Sequence, residues 1–148
     1  MKRTELWMAV VACVGSLMFA ACQKKAATKT AEHPATLEKI EGSDLQRVTL
    51  TARAMERIDL RTDEVREQRL SAMGPAKRVV PYSSLIYDPQ GQTWVYTSPK
   101  PGSFVRHPVE VDEIEGDLVA LKDGPPLGTV VASRAVAELY GAEFKVGH

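Results

Sequence analysis

Cysteine is nearly absent from this chain. Two occur in 148 residues, Cys13 and Cys22, and both precede residue 23. The remainder therefore holds no disulfide and no thiol nucleophile or thiolate cage. Aromatic residues are sparse at 6%. No excess charge of one sign exists: 19 basic residues face 19 acidic ones. A nucleic-acid-binding surface is a poor expectation without a basic excess. No heptad run is present, which excludes a coiled-coil arm. Gly91, Gly102 and Gly116 stand in separate turn contexts and form no phosphate loop. Ser83 and Ser84 lack the flanking glycines of a nucleophile elbow. Acid pairs such as Asp63-Glu64 fit solvated edges better than acid–base chemistry, so no enzyme is expected and no cofactor is implied.

What is present begins with one apolar run. Lys2 and Arg3 precede 16 residues, Leu6 to Ala21, interrupted only by Gly15 and Ser16. That is short of the ~20 residues a spanning helix needs, and it has the layout of a signal peptide. Phe19-Ala20-Ala21-Cys22 then resembles the bacterial lipobox, with Phe19 where Leu is usual. The resemblance implies cleavage before Cys22 and acylation of its thiol. The alternative is an uncleaved anchor with an incidental cysteine. Residues 1–21 are thus expected to be a lipoprotein signal peptide and residues 22–36 a flexible tether, rich in Lys, Ala and Thr. The 15 residues from Cys22 to Leu37 span ~20 Å on average and ~50 Å fully extended. Gln23 favours export to an outer membrane in organisms that have two, which leaves open the membrane that holds the anchor.

Residues 37–146 are expected to form one small domain. Leu37 to Leu50 reads as one or two strands about a turn at Glu41–Asp44. Thr51 is a plausible N-cap for a short helix from Ala52 to Asp59, with Ala54, Met55 and Ile58 on one side. Leu60 to Leu70 reads as one polar strand carrying Arg61, Asp63, Glu64, Arg66 and Arg69. Mixed signs at this density indicate a solvated strand, or more specifically a charged docking edge. Arg78 to Thr97, RVVPYSSLIYDPQGQTWVYT, reads as a hairpin turning at Asp88-Pro89-Gln90-Gly91. Pro81 belongs at a strand start or edge. Phe104 to Asp112 alternates, with Val105, His107, Val109 and Val111 on one face and Arg106, Glu110 and Asp112 on the other. Leu118 to Lys122 and Thr129 to Ala132 complete the strands. Arg134 to Tyr140 reads as a helix capped by Gly141, with Phe144 folding back. The core is expected at Trp94, Tyr82, Tyr87, Val109, Val119, Leu121 and Leu139. His107 on an apolar face, like Met55 at helical spacing, is taken as packing rather than a metal ligand, because no second ligand stands at suitable spacing. The fold class is mainly β: a small antiparallel β-roll or barrel-like domain with two short helices. About 105 ordered residues can fold without disulfides.

In order, VVPYSSLIYDPQGQTWVYT, FVRHPVEV, IEGDLVAL, DGPPLGTVV and AVAELYGAEF resemble the end of periplasmic adaptor (membrane fusion) proteins of resistance-nodulation-division efflux pumps, heavy-metal branch. MERIDLRTDEV resembles the lead-in to that region. The resemblance covers roughly Leu50 to Phe144. It implies a membrane-proximal domain that lies against the pump, and so a non-enzymatic interaction module with the pump or its full-length adaptor as partner. In full-length adaptors a lipoyl-like part, an α-helical hairpin and a β-barrel are inserted where only a few residues separate Leu70 from Val79 here. Two other functions stand beside this one: a periplasmic metal-binding accessory lipoprotein, and a structural lipoprotein without a pump partner.

Overall fold

The computed structural model describes residues 33–72 and 74–145. Cys22 and Met73 lie outside them, as do Gly147 and His148, where the chain end is expected to fray. Every strand pairing among the described residues is antiparallel. The mainly β fold with two helices follows from the sequence as expected.

Strands β1 (Ala35–Lys39) and β2 (Gln46–Leu50) form the first hairpin. Thr51 caps α1 (Ala52–Arg57), its Oγ1 accepting from the Ala54 N–H at 3.1 Å. The polar stretch that follows is two strands, not one. β3 (Arg61–Glu64) and β4 (Arg66–Gln68) are separated by Val65, which is 1% exposed. The valine N–H donates to the Thr129 carbonyl at 2.9 Å, and its own carbonyl accepts from Gly128 at 2.8 Å. One apolar residue within a charged run is drawn inward, and the chain passes there from one sheet to the other.

The run before the central hairpin also divides. β5 (Lys77–Pro81) ends in a 3-10 turn, Tyr82–Ser84, before the two-residue β6 (Ile86–Tyr87). Pro81 closes an interior strand rather than opening one or lying on an edge, and it pairs with Leu118. β6 meets β7 (Thr93–Lys100) through Ile86 opposite Trp94, which is the expected hairpin. In its turn, Asp88 Oδ1 accepts from the Gln90 and Gln92 N–H groups at 3.0 and 2.8 Å, and Gly91 takes φ +80°.

Pro108 breaks the next strand. β8 (Ser103–Pro108) and β9 (Glu110–Glu115) fall in different sheets. The expected faces are reversed in β8, where Phe104 and Arg106 are buried and Val105 and His107 only half-buried. β10 (Leu118–Asp123), β11 (Val130–Arg134) and α2 (Val136–Phe144) finish the domain. Gly141 lies inside α2, and Lys145 in the left-handed region ends the helix instead. Between β7 and β8 the turn needs Gly102: its φ is +77°, and a Cβ there would lie 2.9 Å from the Leu50 carbonyl oxygen.

The first sheet runs β1-β2-β8-β7-β11-β3, with β6 on β7, and the second runs β4-β5-β10-β9. Two cores result. Val65, Val80, Val95, Val119, Leu121 and Val131 form one, which joins the facing sides of the two sheets. Tyr96, Phe104, Ala132, Val136 and Leu139 belong to the other, where both helices cover the far side of the first sheet. Strand β7 thus has core on both faces. Val95 and Tyr96 are each fully buried. A one-residue slip would empty both cores, so the register is strongly specified. Val119, Leu121 and Leu139 are core as expected, but Tyr82 and Tyr87 are about half exposed, at 47% and 51%, and Trp94 and Val109 are only partly covered. The tyrosines lie where the chain changes sheet, so neither core reaches them.

A charged double edge and a buried charge centre

Strands β3 and β4 are each the last strand of their own sheet. The segment from Arg61 to Arg69 therefore forms the margin of both sheets, with Val65 pinned between them. Arg61 Nε is 2.7 Å from Asp59 Oδ1, and Arg134 Nη1 is 2.9 Å from Asp59 Oδ2. Arg66 Nη1 reaches back across Val65 to Asp63 Oδ1 at 3.5 Å. That same oxygen accepts the Glu64 N–H at 2.8 Å. The structure therefore brings Asp63 and Arg66 together, ties Arg61 to Asp59, and leaves Glu64 and Arg69 exposed. Such exposed pairs contribute ~0–1 kcal/mol each, so little stability depends on them. Asp63 also occupies one backbone donor of the margin, and the two strands are short. Both features blunt the edge against indiscriminate strand pairing.

The second feature was not read from the sequence. Arg106 and Glu143 form a buried ion pair, their side chains 9% and 1% exposed. Arg106 Nε lies 3.0 Å from Glu143 Oε1 and 2.8 Å from Oε2. The Tyr96 hydroxyl donates to Oε2 at 2.6 Å. Burial, then the bond and charge of Glu143, push the Tyr96 hydroxyl far above its ordinary pKa. The guanidinium carbon sits 4.6 Å from the Trp94 ring centroid and 4.8 Å from that of Phe144. Phe144, expected to fold back as core, is instead 46% exposed and covers Arg106. Trp94 Nε1 donates to Asp88 Oδ2 at 2.9 Å. Burial alone would raise the Asp88 pKa. The hydrogen bonds from Trp94, Gln92 and Gln90 outweigh it and hold the carboxylate below its ordinary value.

Two sequence signals pointed to this centre. Arg106 shares the parity of Phe104, and Glu143 follows Val136, Leu139 and Tyr140 at helical spacing. His107 is half-buried on the other face. Among the described residues, no three His, Cys, Asp or Glu side chains converge to hold a metal ion. No helix among them is long and apolar enough to cross a membrane.

No family model matches the sequence. No curated relative matches it either. A solved structure with a similar fold is the NMR structure of a 180-residue segment encompassing the N-terminal metal-binding site and the membrane proximal domain of SilB from Cupriavidus metallidurans CH34. The match has a TM-score of 0.43 and 19% identity, covering 64% of this chain and 53% of that one. The chain thus spans about half of the SilB segment, and the likeness is a distant one of fold.

Proposed function

We propose that this protein is a membrane-tethered, non-enzymatic interaction module that docks on a resistance-nodulation-division efflux pump or on its full-length adaptor through the Arg61–Arg69 margin. The observation that carries the reading is the double edge. One segment borders both sheets, turns charge of both signs to solvent, and gives only Val65 to a core. Such a surface tunes on-rate and partner choice rather than fold. The order of its sequence segments, which resembles the adaptors' membrane-proximal domain, supplies the partner class. Only residues 69–76 connect β4 to β5, so nothing is inserted there that would reach a distant channel. Docking without that reach suits an accessory subunit or a competitor of the full-length adaptor.

Arg61→Glu combined with Arg66→Glu tests the docking surface. Association with pump or adaptor, read by cross-linking in native membranes and mass spectrometry, is expected to weaken and to become less salt-sensitive. Thermal unfolding should change little, since the pairs lost are worth less than about 1 kcal/mol each. Recovery of no pump or adaptor peptide, in cells that express a cognate pump, would leave a structural lipoprotein as the reading.

The tether is part of the same proposal. Cys22 carries acyl chains, and the domain faces the periplasm or the cell exterior. Stable anchoring takes more than one chain. The wild type is expected to fractionate with membranes and to show acyl mass on Cys22, whereas Cys22→Ala persists as an unprocessed precursor. A mature protein without acyl addition at Cys22 would refute the lipid anchor.

A further inference from the structure

The guanidinium of Arg106 serves the fold with one of its five N–H donors. Nε bonds Glu143. Among the described residues, no oxygen accepts from either Nη group. Arg106 lines a cavity of about 480 Å³ whose wall also includes Trp94, Tyr140, Phe144, Asp44 and Asp88. Neither Nη group is a buried donor without a partner; both are free to donate into this cavity, to water or to the carbonyl of a ligand that displaces it.

Charge decides the chemistry of the occupant. The positive charge of Arg106 is already balanced by Glu143. Asp88 is an ionised acceptor of three hydrogen bonds, and Asp44 is exposed without an ion-pair partner among the described residues. The cavity is therefore net negative around a positive fork. A phosphate or carboxylate would find the fork but be repelled by both aspartates. A neutral carbonyl beside a cation suits all of these groups.

We infer that this cavity takes an extended basic segment of a partner protein. A backbone carbonyl of the segment accepts from the Arg106 Nη groups, and its lysine or arginine side chain pairs with Asp44 and Asp88. The site is separate from the Arg61–Arg69 margin, and either can fail without the other.

Trp94 reports on it directly. In the full chain in detergent, with Trp7→Phe so that one indole remains, a capped hexapeptide with two lysines is expected to change Trp94 fluorescence saturably. The same peptide with two glutamates is not. Asp44→Asn, on an exposed turn, should weaken the lysine peptide roughly five-fold. Arg106→Lys keeps a cation beside Glu143 but removes the fork, and should abolish the response. If that variant loses cooperative unfolding, the Asp44 comparison decides. No saturable change with the lysine peptide, equal or tighter binding of the glutamate peptide, or unchanged lysine binding in Asp44→Asn would each overturn the proposal.

Discussion

Arg106→Met is expected to destabilise the domain by about 3–5 kcal/mol, the usual effect of removing one partner from a buried ion pair. The cause is what remains. Glu143, 1% exposed at its side chain, keeps only the Tyr96 hydroxyl as a donor. Methionine is chosen because its length and soft thioether keep contact with the Trp94 and Phe144 rings, so the loss reports charge rather than a cavity. Adding Glu143→Met should recover part of the stability, because an apolar pair of similar volume removes the desolvation of both charges, while the buried Tyr96 hydroxyl is left without its acceptor. Urea unfolding of the two single variants and the double variant gives the coupling. A typical domain has only ~5–15 kcal/mol in total, so the single variants should lie near the edge of folding. A cost below about 1 kcal/mol for Arg106→Met would mean that water reaches the pair. The double variant also separates fold from function: it should stay folded yet lose the response of Trp94 to the basic peptide.

The legible parts of this fold are those set by local chemistry. Thr51 caps its helix because a hydroxyl before an apolar-periodic run can take an orphan N–H. The Asp88–Gly91 turn closes because Asp, Pro and Gly each favour that geometry. The illegible parts are those where the chain changes sheets. Val65, Pro81 and Pro108 each divide what alternation alone would read as one strand. A strand of period two does not reveal that its two halves pair with different neighbours. The same ambiguity hid the charge centre. Along Phe104 to Asp112 the side chains of Val105, His107, Val109 and Val111 outweigh Phe104 in the alternation, and Arg106 on the opposite parity marks that face as wet. Only the helix laid over that face, bringing Glu143 within hydrogen-bond reach, makes a buried arginine tolerable. The charged margin was legible because its charges depend on no distant partner. Its division between two sheets was not.

Tyr96→Phe should change how stability responds to alkali. In the folded domain the Tyr96 hydroxyl is buried and donates to Glu143, so its pKa is raised. In the unfolded chain it ionises near ~10. Its contribution is therefore fully present below that pH. As pH climbs past it, the unfolded state alone releases the proton, and stability falls by about 1.4 kcal/mol per pH unit. Lys77 and Lys122 are raised too, chiefly by hydrogen bonds to Asp112 with Glu113 and to Glu110, and their contributions are lost over a similar range. Both remain in the phenylalanine variant, so the difference between the two proteins isolates Tyr96. Near neutral pH the variant should be less stable by about 1–3 kcal/mol, since Glu143 loses a donor in a buried site. Above ~10 the wild type should lose its advantage steadily, and the two stability curves should converge. Urea unfolding at successive pH values measures this. Tyrosinate absorbance gives the independent check: the Tyr96 contribution should appear only as the protein unfolds. Parallel curves, or ionisation of Tyr96 while the fold persists, would show that its hydroxyl is open to solvent and that the Tyr96–Glu143–Arg106 centre is not sealed.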